Sequence, residues 1–271
     1  VLVIGAGPAG LEAARVAAER GDRVEIVEAQ PQVGGQFRLA GMQPRRGQIL
    51  ELLDWYERQF TRLGVTLRLN SFLDADDIGT HPASQVVIAT GSLPDDWARQ
   101  RWLPSAAALP GLENGNVWSA EDVMRRDARL GDTVILLDEG GNWRGVGTAW
   151  AMAEQGKRVT LVTPDAFIGK EIARTSADGA ARGRLARLGV RMIAEHVITR
   201  WHGNGATLRS LLTGTEETIP ASALVYATTN AAFDPFPETL PGKALHRIGD
   251  CTAPRQAPYA FHDGRKLGLE L

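Results

Sequence analysis

The sequence opens with Val1-Leu2-Val3-Ile4-Gly5-Ala6-Gly7-Pro8-Ala9-Gly10, and this stretch decides the fold. Its four leading apolar residues predict a buried strand, and the Ala-rich segment after Gly10 predicts a helix. Gly5 permits a tight turn, Gly7 lets an anion approach the backbone, and Gly10 lets the helix pack close to the strand. Because amide groups at a helix N-terminus attract negative charge, the stretch predicts a pyrophosphate-binding site.

An acidic residue after the next strand supports this interpretation. The predicted strand at 23–27 ends at Glu28, which lies 18 residues after Gly10. A carboxylate in this position can accept hydrogen bonds from both hydroxyls of an adenosine ribose. The alternative is a glycine turn in an ordinary α/β protein, with Glu28 as a solvated strand end.

Composition and charge exclude several classes of protein. The 271 residues are 44% hydrophobic and 23% charged, as expected for about two globular domains. The net charge of −2 gives no general attraction to nucleic acid or to anionic membranes, and no apolar run approaches the roughly 18 residues of a membrane helix. The single cysteine, Cys251, rules out an internal disulfide and a cysteine-ligated metal centre. We therefore expect a cytoplasmic protein without a metal site.

Three further stretches are candidates for ligand contact. Gly34-Gly35 gives backbone freedom after Glu28, and Gln36 and Arg38 follow as polar groups for a phosphate or a ring edge. A predicted strand at 84–89 ends in Thr90-Gly91, which brings backbone close to a bound molecule. Gly249-Asp250 ends a late strand, where a carboxylate can accept hydrogen bonds from a sugar alcohol. The alternatives are a flexible loop and ordinary turns.

A second strand–helix–strand pattern follows at 133–137, 146–155 and 158–162 and indicates a duplicated fold. Its turn contains Asp138-Glu139-Gly140-Gly141 instead of a Gly-Ala-Gly sequence. The negative charge repels a pyrophosphate, whereas the glycines keep some access to the backbone. The sequence therefore leaves both alternatives for this second turn, binding of NAD(P)H and no binding.

These patterns predict an α/β protein with two Rossmann-like dinucleotide-binding domains in three layers. The first would comprise residues 1–112 and 226–271, and the second, at 113–225, would be inserted in it. A loop-rich connection that includes Pro94, Pro104 and Pro110 joins them. The chain starts inside a strand without a Met, so we expect a piece of a longer protein.

In this order, the landmarks resemble flavoproteins of the glutathione-reductase type with two dinucleotide domains. Residues 34–40 resemble the C-terminal half of 2,4-dienoyl-CoA reductase, and residues 248–255 resemble the trimethylamine dehydrogenase group. Residues 138–141 resemble the N-methylproline demethylases of the same family. The resemblance covers essentially the whole chain.

The resemblance implies a partner, the N-terminal barrel domain of the full-length protein, with FMN, a 4Fe-4S cluster and the substrate site. This chain would be the FAD-binding electron-transfer portion of an oxidoreductase for N-methylated amines or enoyl compounds, without catalytic residues of its own. The alternative is a non-catalytic ADP-binding structural domain with a degenerate NAD(P) site. The sequence does not determine whether the protein forms oligomers. The candidate cofactor-binding residues are Gly5, Gly7, Pro8, Ala9, Gly10, Glu28, Ala29, Gly35, Gln36, Thr90, Gly91, Gly249, Asp250 and Ala260.

Overall fold

A computed structural model of the chain describes residues 1–103 and 108–271; Pro104, which belongs to the predicted connection, lies outside the described residues. The strands are β1 (Leu2–Ile4), β2 (Glu25–Val27), β3 (Thr66–Arg68), β4 (Gln85–Ile88), β5 (Ser92–Leu93), β6 (Val117–Ser119), β7 (Thr133–Asp138), β8 (Arg158–Val162), β9 (Arg191–Ile193), β10 (His196–Trp201), β11 (Gly205–Ser210), β12 (Glu216–Pro220), β13 (Ala223–Ala227), β14 (Ala231–Ala232) and β15 (Ala244–Arg247). The helices are α1 (Pro8–Glu19), α2 (Gly35–Gly41), α3 (Gln48–Leu63), α4 (Ala75–Thr80), α5 (Ala120–Arg125), α6 (Trp143–Glu154), α7 (Asp178–Arg187) and α8 (Ala257–Glu270).

The chain forms two compact units. The first unit comprises Val1–Gly41, Gly47–Leu93 and Asn230–Leu271, and the second comprises Met42–Arg46 and Pro94–Thr229. Apart from the short segment Met42–Arg46, the chain passes between the units after residues 93 and 229, whereas the sequence placed these crossings after residues 112 and 225. Hydrogen bonds explain the earlier crossing. The Gln100 side chain donates to the Ile198 carbonyl at 2.7 Å and accepts from Ile198 N–H at 2.8 Å, so the segment around Gln100 belongs to the second unit. The later crossing arises because β13 lies inside the second unit's sheet.

A five-stranded parallel sheet with the order β15-β4-β1-β2-β3 forms the centre of the first unit. Side chains alternate between its two faces, as the strand geometry requires. Val3, Ile26 and Val87 pack toward the core that includes residues of α1, α3 and α8. Leu2, Ile4 and neighbouring strand residues pack with Ile78 of α4 on the opposite face. Because both faces are covered, the central strands β1 and β4 consist of nearly continuous apolar runs.

The second unit has the same type of parallel sheet, in the order β6-β13-β7-β8-β9. One face packs against α5, α6 and α7, as the core around Leu136 and Met152 shows. The other face, with Ile135 and Leu137, packs against Trp201 and other residues of the antiparallel sheet β10-β11-β12. The helix, sheet and sheet layers agree with the predicted fold class, which is confirmed.

Helices α1 and α8 of the first unit pack closely because α8 has glycines where they meet. A Cβ at Gly264 would lie 2.2 Å from the carbonyl oxygen of Ala9, and a Cβ at Gly268 would lie 2.8 Å from Cβ of Val16. Beside this contact, Glu12 lies buried and accepts hydrogen bonds from Arg15 at 2.7 Å and from Tyr56 at 2.9 Å. The start of α1 is therefore held in place by backbone contact and by a satisfied buried charge.

We expect Gly264→Ala to lower the free energy of unfolding of the first unit by about 1–3 kcal/mol, because the new methyl group forces α1 and α8 apart. Urea unfolding monitored by circular dichroism measures this change. Gly79→Ala in α4 is the matched control, since a Cβ there meets no atom within 4 Å among the described residues. Equal stability of the two variants would contradict the expectation.

Candidate nucleotide-binding site

The candidate site lies at the carboxyl end of β1, where the sheet of the first unit changes winding direction. Strand β1 has β2 on one side and β4 on the other. In open parallel sheets such a switch point creates a crevice at the carboxyl ends of the strands, and ligands bind there. The loop from Gly5 to Gly7 leaves β1 at this point and leads directly into α1.

The three glycines of the loop have different surroundings. A Cβ at Gly5, whose φ is +100°, would lie 2.4 Å from the carbonyl oxygen of Ala89. A Cβ at Gly10 would lie 2.0 Å from the carbonyl oxygen of Gly5. At Gly7, by contrast, a Cβ would meet no described atom within 4 Å. Gly5 and Gly10 are thus needed for the fold, whereas Gly7 leaves the backbone open to a ligand.

Helix α1 begins at this open position. Gly7 is its N-cap and Pro8 its first residue, and no side chain of the described part of the chain caps it. The N-terminal amides of Ala9 and Gly10 therefore carry the partial positive charge of the helix without a side-chain anion to neutralise it. This arrangement fits the pyrophosphate of a dinucleotide.

The Glu28 carboxylate points toward the glycine loop. One oxygen accepts a hydrogen bond from Ala6 N–H at 2.7 Å, and the other accepts one from Gln30 N–H at 2.8 Å. Glu28 is buried, while Ala29 is exposed beside it. Because each carboxylate oxygen has two lone pairs, the group can still accept hydrogen bonds from ribose hydroxyls.

Gln36 and Asp250 are far apart in sequence, and Ser92 joins them. The Gln36 side-chain amide donates to the Ser92 carbonyl at 2.7 Å and to its hydroxyl at 2.9 Å. That hydroxyl donates to Asp250 Oδ2 at 3.2 Å, and Arg255 N–H donates to Asp250 Oδ1 at 3.1 Å. Burial raises the pKa of Asp250, although these two hydrogen bonds oppose the rise. Sequence reasoning missed Ser92, whose signal was its position directly after Thr90-Gly91.

The remaining predicted residues lie around the same end of the first unit. The Thr90 hydroxyl donates to the Phe233 carbonyl, and Gly91 has a φ of +81°. A Cβ at Gly249, whose φ is +70°, would lie 2.7 Å from Cβ of Ala9 and 3.8 Å from Cβ of Ala260. Gly249 thus links the starts of α1 and α8.

Two features of this region refine the sequence interpretation. The Gly34-Gly35 pair is not a flexible loop, because α2 begins at Gly35 and a Cβ there would lie 3.6 Å from Cα of Gly7. The Arg38 guanidinium donates to the Val33 carbonyl at 2.6 Å, so it braces the start of α2. The residues brought together are therefore those of the glycine loop, Glu28, and the Gln36–Ser92–Asp250 chain.

The part of the chain that the structure describes contains no cluster of metal-ligating side chains and no membrane-spanning helix. Within residues 1–103 and 108–271, no three His, Cys, Asp or Glu side chains are grouped as a metal site would require. The helices in those ranges are also too short or too polar to span a bilayer.

Two parallel sheets with a glycine loop at the switch point define a Rossmann-type nucleotide-binding protein. Residues 1–232 match the family described as pyridine nucleotide-disulphide oxidoreductase. The chain belongs to this family of oxidoreductases.

Individual relatives carry the names of amine-oxidising enzymes. The chain is 38% identical over 64% of its length to a probable N-methylproline demethylase from Rhizobium meliloti, of which the match covers 24%. It is 32% identical over 98% of its length to an N,N-dimethylglycine/sarcosine dehydrogenase from Chromohalobacter salexigens, of which it covers 43%. The structure of histamine dehydrogenase from Rhizobium sp. 4-9 superposes with a TM-score of 0.91 at 26% identity, over 100% of this chain and 43% of that one.

These matches confirm the resemblance to the trimethylamine dehydrogenase and 2,4-dienoyl-CoA reductase family that the sequence motifs predict. The chain spans less than half the length of each of these three proteins.

Proposed function

We propose that this chain is the FAD-binding electron-transfer portion of a multidomain flavin and iron–sulfur oxidoreductase that acts on N-methylated amines or enoyl compounds. The observation that carries the proposal is the open backbone at Gly7, with the uncapped start of α1 on one side and the Glu28 carboxylate on the other. This geometry fits an adenine dinucleotide, and the names of the relatives support the amine substrates.

Different residues of the first unit would bind different parts of the cofactor. Ala9 and Gly10 would donate backbone N–H groups to the pyrophosphate, and Gly7 and Pro8 would let it approach the backbone closely. Glu28 would accept hydrogen bonds from the ribose. The Gln36–Ser92–Asp250 chain would hold the ribityl hydroxyls, with Asp250 as the acceptor.

The N-terminus of α8 would lie near the ring. Helix α8 has Gln256 as its N-cap, without a capping side chain in the described ranges. The flavin, when bound, would supply hydride and single-electron transfer, and the protein would position it and adjust its electrostatic surroundings. The positive end of α8 near Ala260 would favour negative charge on the ring.

The rest of the full-length protein would supply what this chain lacks. The coverage of 24–43% of the relatives leaves room for the barrel domain that the resemblance implies, with FMN, the 4Fe-4S cluster and the substrate site. That barrel is the proposed partner of this chain. A single cysteine suits the reducing cytoplasm, which is the proposed location.

The alternative is a structural domain that holds only ADP, and the filled second loop described below favours it. The two functions differ in whether a ligand reaches Asp250, because ADP ends at its diphosphate. If FAD is the ligand, we expect Asp250→Ala to weaken FAD binding about ten- to a hundredfold and to leave ADP binding unchanged. Asp54→Ala on the exposed side of α3 is the control. Calorimetric titration with each nucleotide measures both effects.

The direct test is the visible spectrum of the purified protein, followed by identification of the nucleotide released on denaturation. A flavin spectrum with FAD released supports the proposal. A colourless protein that releases ADP and does not take up FAD would refute the electron-transfer function and leave the structural one.

A further inference from the structure

The loop that follows β7 in the second unit corresponds in position to the glycine loop after β1. The pair Leu137–Val162 ends the β7–β8 ladder as the pair Ile4–Val27 ends the β1–β2 ladder. By this register Asp138 stands where the first unit has Gly5. Helix α6 begins at Trp143 after its N-cap Asn142, as α1 begins at Pro8 after Gly7.

The side chain of Asp138 fills the space at the start of α6. Asp138 is fully buried, and its Oδ1 accepts hydrogen bonds from Gly140 N–H at 3.1 Å and Gly141 N–H at 3.0 Å. A Cβ at Gly145 would lie only 2.3 Å from the carboxyl carbon of Asp138, so this carboxyl group packs against bare helix backbone. The second oxygen, Oδ2, has no hydrogen-bond partner among the described residues.

The helix end is closed as well. The Asn142 side chain accepts a hydrogen bond from Arg144 N–H at 2.9 Å and so caps α6, whereas Gly7 leaves α1 open. Three backbone donors of this loop, the N–H groups of Gly140, Gly141 and Arg144, are thus bonded to the protein's own side chains and are not free for a phosphate.

The ribose end of the crevice is also occupied. Asp165 follows β8, close to where Glu28 follows β2 in the first unit. The Arg101 guanidinium donates to Glu139 Oε2 at 2.8 Å and to Asp165 Oδ1 at 3.2 Å, and it bridges the two buried carboxylates. Lys170 Nζ lies 3.4 Å from the same Asp165 oxygen. A ribose would have to displace this arginine to reach the carboxylate.

We infer that Asp138 is an internal substitute for the pyrophosphate, and that the second unit does not bind NADH or NADPH through this loop. A dinucleotide would need the Gly140 and Gly141 N–H groups, which already donate to Asp138. Its diphosphate would also compete with the Asp138 carboxyl group for a space that can hold only one of these two groups. The inference does not depend on which nucleotide the first unit binds. If it is correct, electrons reach or leave the proposed flavin without a nicotinamide docked on this unit.

The test uses calorimetric titration of the whole chain with inorganic pyrophosphate, NADH and NADPH. All proteins carry Gly7→Val, so that binding at the first loop does not contribute. The protein with Asp138 intact should bind none of the three at concentrations up to about 1 mM. Asp138→Asn keeps the shape of the side chain and should behave identically, whereas Asp138→Ala empties the space and should gain pyrophosphate binding, with Kd lowered at least about tenfold.

Binding of NADH or NADPH to the protein that retains Asp138 would overturn the inference, whatever the variants do. Failure of a cooperatively folded Asp138→Ala protein to bind pyrophosphate would overturn the role of Asp138 as the substitute. If the alanine variant does not fold, Asp138→Gly, which gives this position the residue that the first unit has at the corresponding Gly5, is tested against the same expectation. Adding Arg101→Ala to Asp138→Ala should allow NADH and NADPH to bind as well as pyrophosphate, because it removes the arginine that bridges Glu139 and Asp165.

Discussion

Replacing Gly7 by valine is expected to abolish nucleotide retention by the first unit without unfolding it. The new side chain would project into the space that the proposed pyrophosphate needs, and affinity for FAD or ADP should fall about a hundredfold or more, which is ~3 kcal/mol. The fold should tolerate the change, because Gly7 has an ordinary φ of −75° and a Cβ there meets no described atom within 4 Å. Fluorescence or calorimetric titration of the nucleotide-free protein measures the affinity.

The chain offers a matched control for this variant. Gly47 is also a helix N-cap in the first unit, with φ −56°, and a Cβ there also meets nothing within 4 Å among the described residues. Gly47→Val should keep the wild-type affinity. Gly10→Ala is expected to fail differently, since its methyl group collides with the Gly5 carbonyl and lowers stability together with binding. Wild-type affinity in Gly7→Val would remove the basis of the proposed function.

The second large effect concerns stability and pH. Burial raises the pKa of Asp138 from 3.8 to about 7; the Gly141 and Gly140 amides oppose the rise, Asp165 adds to it and Arg144 opposes it. The native state therefore binds more protons than the unfolded state between pH 3.8 and about 7. The contribution of Asp138 to stability is fully present below pH 3.8, is lost as the pH rises to about 7, and stays constant above.

Asp138→Asn removes this titration while keeping the shape of the side chain. We expect the free energy of unfolding of Asp138→Asn, relative to wild type, to increase from about pH 4 to pH 7 by up to ~4 kcal/mol. Urea unfolding at a series of pH values measures the difference. The exposed Asp127→Asn, in the same unit, should keep the pH dependence of the wild type. A constant difference between the Asp138→Asn and wild-type curves would show that Asp138 is ionised throughout.

Local patterns in the sequence were sufficient for the elements that each contain their own signal. The amphipathic pattern gave α3 at 48–63, and the strand–glycine–helix pattern gave β1, the loop and α1. Glu28 faces the loop as predicted, because a strand that pairs beside β1 ends at the same edge of the sheet. Its role and those of the other candidate residues toward a nucleotide stay predictions.

Features that depend on distant parts of the chain were not accessible in this way. The sequence indicated repulsion at Asp138, but only the packing against Gly145 shows that its side chain turns inward and fills the loop. The position of Ser92 directly after Thr90-Gly91 could have indicated a site residue, but its contacts with Gln36 and Asp250 join distant parts of the chain. The connection through Gln100 belongs to the second unit for the same reason: its hydrogen bonds reach Ile198, which no local pattern could reveal.

The return of the chain to its first unit after Thr229 has a consequence for biosynthesis. The ribosome delivers the whole second unit before β15 and α8 exist, so until then β4 is a free edge and the Ala9–Ala13 surface of α1 is bare. A nascent chain at this stage exposes an unpaired strand and apolar surface, which are features that chaperones bind. The glycine loop is translated before the second unit, yet the strand and helix that complete its surroundings are translated after it.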